Sequence, residues 1–191
     1  MFLSSYTSLP DTLLEYWHKQ QHICNDRNKD WFNNLIQDHK RYELFTVMSN
    51  NNDIVSFSLV QMQGFPKYTA RIGTRTFIDP KYRNKTSSLE KNKKTIIFQM
   101  LREQYSWVKQ NNAKENCFSS IEFGKTAAIK SCAKKFQQIL NVNAIVLPNL
   151  YKMFRNTSDP SCFQSVILFP ITSLKFDLPC VSRNKTNIRD K

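Results

Sequence analysis

Three β-prone runs between residues 44 and 78 are joined by turns too short to cross a sheet, and this constrains the fold more than any other feature. Leu44-Phe45-Thr46-Val47-Met48 meets Ile54-Val55-Ser56-Phe57-Ser58-Leu59-Val60 across the turn cluster Ser49-Asn50-Asn51-Asn52-Asp53. The second run meets a third, Thr69 to Ile78, across the break Gly64-Phe65-Pro66. A parallel neighbour needs a crossover of about a dozen residues, so these runs must form an antiparallel meander. A sheet that is doubly wound throughout is excluded.

Helical periods flank the meander. Ser8, Pro10 and Asp11 read as a helix start followed by Leu13, Leu14, Trp17 and Gln21, a helix over roughly 9 to 22. Asp30 precedes Trp31, Phe32, Leu35 and Ile36, a second short amphipathic segment. After the meander, Ser87 and Glu90 have the spacing of a capping box, and Ile97, Leu101, Tyr105 and Val108 recur at helical intervals to about Asn111. Cys117 to Ile121 reads as a short strand. Ala128, Cys132, Phe136 and Ile139 mark another helix, and Val142 to Leu147 and Phe163 to Phe169 close the chain as two strands. Pro148 onward reads as a loop. The order is α-α-β-β-β-α-β-α-β-β, an α/β (α+β) fold with a mixed, mostly antiparallel sheet flanked by helices. A final strand left at the sheet edge could pair with another subunit.

With 191 residues and 40% hydrophobic content, the chain has material for one core. Residues 1–180 read as one domain and 181–191 as a basic, flexible tail. Only three glycines occur, Gly64, Gly73 and Gly124, so neither G-x-G-x-x-G nor G-x-x-x-x-G-K can be present, and the nucleotide folds built on those turns drop out. The net charge of +13 favours polyanionic partners, among them nucleic acid, anionic membrane or a phosphorylated cofactor. Abundant Asn, Lys, Ile, Phe and Tyr are the profile of an AT-rich coding sequence, so charge alone does not select nucleic acid. Five cysteines without a C-x-x-C pair fit a reducing cytosol, and no run approaches the ~20 apolar residues of a membrane span. The expectation is a cytoplasmic protein off the membrane.

The segment Thr74-Arg75-Thr76-Phe77-Ile78-Asp79-Pro80-Lys81-Tyr82-Arg83-Asn84-Lys85, set in that element order, resembles the GNAT superfamily of N-acetyltransferases over most of the chain. In that family a fourth strand ends in an apolar-x-Pro-x-Tyr-Arg segment, and the turn after it, Arg/Gln-x-x-Gly-x-Gly/Ala, wraps the pyrophosphate of acetyl-CoA. Here Arg83 stands at the first position of that turn, while Thr86 and Ser88 replace the glycines. Such a turn works by aiming consecutive backbone N–H groups and a helix N-terminus at an anion. Thr and Ser keep the N–H groups and add hydroxyls, at the cost of narrower dihedral freedom. The resemblance implies that Phe77, Ile78, Arg83, Asn84, Lys85, Thr86, Ser87 and Ser88 bind acetyl-CoA or a related acyl-CoA as cosubstrate. Lys81 and Lys91 add charge beside them.

The resemblance further implies direct transfer to an amine acceptor, an N-terminal strand that is at best vestigial in Met1 to Tyr6, and a strand-end base, for which Glu122 is the candidate. The family's Asn-x-x-Ala-x-x-x-Tyr signature is not kept in Gly124-Lys125-Thr126-Ala127-Ala128-Ile129-Lys130-Ser131-Cys132, so the tyrosine that protonates the leaving thiolate is missing. Helical periodicity puts Cys132 on the buried face as a core thiol. The rival reading is a catalytically inactive GNAT-like binding protein that uses its basic surface for nucleic acid or an acidic partner.

Other constellations are weaker. His18 and His22 stand at i and i+4 but lack the glutamate of H-E-x-x-H, so no metal site is expected. Lys67-Tyr68, Arg71 and Arg75 interleave basic and aromatic groups in a way that could hold single-stranded nucleic acid. Strand alternation explains Arg71 and Arg75 more simply, as the polar side of a half-buried strand.

Overall fold

The computed structural model describes residues 1–64, 69–83, 88–112, 118–123, 129–152 and 163–171. The chain runs β1 (Phe2–Tyr6), α1 (Asp11–Ile23), α2 (Asp26–Asp38), a short 3-10 turn (His39–Arg41), β2 (Leu44–Asn50), β3 (Asp53–Gly64) and β4 (Thr69–Ile78). It continues with α3 (Pro80–Arg83), α4 (Ser88–Asn112), β5 (Phe118–Phe123), α5 (Ile129–Leu140), β6 (Ile145–Lys152) and β7 (Phe163–Pro170). The tail expected over 181–191 lies outside the described residues.

The seven strands form one sheet in the order β1-β2-β3-β4-β5-β7-β6, antiparallel everywhere except between β4 and β5. The meander holds, and its first hairpin closes through Asn51 and Asn52, both left-handed at φ 53° and 57°. That pair of dihedrals matches the right-handed twist of the flanking strands, and Asn tolerates it. The first strand is a correction: Phe2 to Tyr6 is a true edge strand, paired with Ser49 to Phe45 of β2. A second correction concerns the last strand. Because β7 lies between β5 and β6, the edges are β1 and β6, and β7 offers no free side for another subunit.

Each face of the sheet carries its own helices. Leu13 and Trp17 of α1 and Phe32 and Leu35 of α2 bury against Phe45, Phe57 and Leu59. The other face packs Leu101, Tyr105 and Val108 of α4 and Ala133, Phe136 and Leu140 of α5 against Ile72, Ile167 and Phe169. Asn25 caps α2, accepting a hydrogen bond from the Asn28 N–H at 3.3 Å, which sets the start of that helix at Asp26, four residues before the Asp30 the sequence suggested. No helix among the described residues is long and apolar enough to cross a membrane.

Candidate functional site

The site is organised by the way β4 leaves its neighbours. Register with β5 covers only Thr69↔Phe118, Ala70↔Ser119 and Arg71↔Ser120; beyond that, β5 is paired with β7 alone and β4 with β3 alone. A wedge therefore opens between the two parallel strands after Arg71 and Ser120. Over the same stretch β4 bulges. Gly73 and Arg75 are left-handed at φ 67° and 50°, and the pairing with β3 slips on both sides of Leu59↔Thr74.

Helix α4 fixes this bulge. The Gly73 N–H donates to Gln104 Oε1 at 2.8 Å, and the Gly73 carbonyl accepts from Thr76 Oγ1 at 2.8 Å. Gln104 is fully buried, and its amide N–H also donates to Thr46 Oγ1. Buried amides without partners are costly, so this one side chain satisfies a bulge donor and a strand hydroxyl together. A Cβ at position 73 would stand 2.9 Å from Leu101 Cδ2, so glycine is required both by conformation and by the close approach of α4.

The turn beyond β4 begins at a buried carboxylate. Asp79, 6% exposed, accepts from the Tyr16 hydroxyl at 2.7 Å and Gln20 Nε2 at 3.3 Å through Oδ2, and from the Lys81 N–H at 2.9 Å through Oδ1. Its own N–H donates to the Val55 carbonyl. Sequence reading took Asp79 only as a strand end and placed Gln21, not Gln20, among the inward residues of α1. The only signal was helical phase, since Gln20 continues Leu13 and Trp17. Nearby, Lys81 Nζ lies 2.8 Å from Asp53 Oδ2, a pairing that lowers the Asp53 carboxyl and raises the Lys81 ammonium from their ordinary values. A cavity of about 560 Å³ lies between α1, the β2–β3 turn and Asp79 to Lys81.

The expected cofactor residues fall along this path. Phe77 and Ile78 are half-buried in the last residues of β4; the Phe77 ring stacks on Phe57 at 5.6 Å, and its carbonyl accepts from Ser56 Oγ at 2.7 Å. Arg83 closes α3, and Ser88 opens α4. Asn84, Lys85, Thr86 and Ser87 lie outside the described residues. Glu122 sits in β5 opposite Val166, two positions past Ser120 and thus beside the opening of the wedge.

His18 and His22 are exposed on α1, and among the described residues no cluster of His, Cys, Asp and Glu could hold a metal ion. Arg75 is more engaged than a solvated strand residue: its Nε donates to the Tyr42 hydroxyl at 3.2 Å, and its guanidinium lies 5.9 Å from the Trp31 ring centre. Lys67 and Tyr68 lie outside the described residues.

A mixed seven-stranded sheet with one parallel pair that parts at its centre, and a long helix starting just past the end of β4, is a GNAT-like fold. Solved structures agree. The diaminobutyrate acetyltransferase from Paenibacillus lautus, solved with L-2,4-diaminobutyric acid and coenzyme A, superposes with a TM-score of 0.54 at 10% identity, covering 91% of this chain and 98% of that one. An acetyltransferase from Desulfovibrio desulfuricans, described as of the GNAT family, gives a TM-score of 0.50 at 13% identity, covering 90% of this chain and 100% of that one. No protein-family model and no curated protein matches the sequence. At such low identity the likeness is one of fold.

Proposed function

We propose that this chain is an acyl-CoA-dependent N-acyltransferase, with acetyl-CoA as donor and an amine as acceptor, and that residues 1–180 work as one domain in the cytoplasm. The observation that carries this reading is the parting of β4 and β5 directly after Arg71 and Ser120. The parted strands leave backbone groups for an extended thioester arm to lie against. Residues 84–87 immediately precede in sequence the 25-residue helix α4, whose N-terminal N–H groups and dipole favour a pyrophosphate. The solved structure of the Paenibacillus lautus enzyme with coenzyme A and a diamine supports the same class of reaction.

In this reading Glu122 takes a proton from the acceptor ammonium, directly or through a water. The neutral amine then attacks the thioester carbonyl, the C–N bond forms, the nitrogen releases its surplus proton to solvent, the C–S bond breaks, and the thiolate takes a proton from solvent in place of the absent tyrosine. The test is mass-spectrometric detection of acetylated product across a panel of small amines and peptides. Glu122→Gln is expected to slow transfer by roughly 10²–10⁴-fold while acetyl-CoA affinity is kept. Absence of product from every acceptor, together with no acetyl-CoA binding, contradicts the reading and favours the inactive binding protein.

A further inference from the structure

The charge of the chain divides just past β4. Residues 1–80 carry eight Lys and Arg against eight Asp and Glu, whereas residues 81–191 carry twenty against seven, so the whole net charge of +13 belongs to the second part. Drift of an AT-rich coding sequence would add lysine throughout, so the split has another cause. The fold turns it into two unlike faces: α1 and α2 hold three Lys and Arg against five Asp and Glu, and α4 and α5, on the other side of the sheet, hold eight against two. We propose that the α4–α5 face binds the phosphate backbone of a nucleic-acid duplex, a role that goes beyond the transfer reaction and does not rest on it.

The two helices form one surface, since Phe98 of α4 and Phe136 of α5 meet edge to face with ring centres 6.1 Å apart. Burial of Ala133, Phe136 and Leu140 leaves Lys130, Lys134 and Lys135 on the outer side of α5, all three exposed, and Arg102 and Lys109 are exposed on α4. None of these five forms an ion pair among the described residues. Their charge therefore stays available to a ligand, and Lys130 and Lys134 stand about 6 Å apart along the helix axis. Among the described side chains of the two helices, Glu103 is the one exposed carboxylate.

Among the described residues, this face lacks what other polyanions would need. The large apolar side chains that are exposed, Met1, Phe2, Tyr6 and Ile23, all belong to the neutral first part. An acidic protein is held by aromatic or aliphatic groups buried at the centre of an interface, and a membrane surface by the apolar side of a helix. A single strand stacks its bases on exposed aromatics. Beside its cations the face offers uncharged hydrogen-bonding groups, Gln99, Gln110 and Gln138 among them, which suit phosphate and sugar and read no sequence. The 25 residues of α4 span about 37 Å, close to one turn of a duplex.

The test is fluorescence anisotropy of a labelled duplex of roughly 20 base pairs and arbitrary sequence, as DNA and as RNA, titrated with the full chain between about 50 and 200 mM salt. One triple variant combines Lys130→Gln, Lys134→Gln and Lys135→Gln. A second, Lys19→Gln with Lys29→Gln and Lys40→Gln, removes the same charge from α1, α2 and the 3-10 turn; all six side chains are exposed, so neither variant disturbs the core. The expected result is duplex binding that falls with salt, weakened roughly tenfold or more and with a salt slope shallower by about two to three in the α5 variant, and kept within about twofold in the other. A preference between DNA and RNA tells two sources of the same backbone apart and supports the proposal either way. No binding at about 50 mM salt, equal weakening in both variants, or tighter binding to a single strand, to polyglutamate or to phosphatidylserine vesicles overturns it. A chain that binds the duplex but not acetyl-CoA loses the transfer reaction and keeps this surface.

Discussion

The Tyr16 hydroxyl donates a 2.7 Å hydrogen bond to Asp79 Oδ2 across 63 residues of sequence, tying helix α1 to the residue that links β4 to α3. Gln20 donates to the same oxygen, so one carboxylate fixes how the helix sits over the end of β4 and the start of α3. Asp79→Ala removes three acceptor contacts, among them the one that the buried Gln20 amide donates to, which is expected to cost about 3 kcal/mol. Tyr16→Phe alone is expected to cost about 1–2 kcal/mol. Because the two share one bond, the double variant should lose less than the sum of the two. Urea denaturation of the three variants reads this directly, and strict additivity would show that the bond contributes nothing to stability.

Gly73 is the second point of control. A non-glycine residue there must hold φ near 67°, which costs about 1–2 kcal/mol, and must displace Leu101 Cδ2, which would otherwise stand 2.9 Å from the new Cβ. Gly73→Ala should therefore lower stability by about 1–3 kcal/mol. An unchanged denaturation midpoint would mean that the bulge is not held against α4 as described.

Much of this architecture is legible in the sequence, and the failures have physical causes. The meander reads because its turns are short and carry Asn or Gly-Pro signals, and Asp79-Pro80-Lys81-Tyr82-Arg83 marks the end of β4 whatever the fold. Strand β1 is hidden because Phe2 is 70% and Tyr6 40% exposed at an edge, so no alternation of apolar and polar residues announces it. Strand β6 continues to Lys152 through Pro148, which reads as a loop breaker; the strand is an edge, and its pairing with β7 slips between Leu147 and Tyr151, two circumstances that admit proline. The bulge at Gly73 to Arg75 cannot be read, since a left-handed arginine has no local signal and depends on Gln104, 31 residues from Gly73.

Tyr105 sets an alkaline limit. Its hydroxyl donates to the Pro170 carbonyl, and burial raises the phenol above its ordinary value of 10.0. The sign follows from linkage: below pH 10 the phenol is neutral in both states, whereas above it the unfolded chain ionises first, so stability falls as pH rises through and beyond that value. Tyr105→Phe should lose about 1 kcal/mol at neutral pH and show a flatter decline above pH 10. Parallel pH curves for the two proteins would contradict this.

The most direct test of the central claim is the melting temperature of the purified full chain against acetyl-CoA concentration, with free CoA and Arg83→Ala alongside. A ligand that binds only the native state stabilises it by about 2.7 kcal/mol at a hundred times its Kd, roughly 5–10 °C for a chain of this size. The expected result is a saturable rise with acetyl-CoA and with CoA that Arg83→Ala weakens at least tenfold. No rise at millimolar acetyl-CoA would contradict the account and leave a GNAT-like fold put to another use.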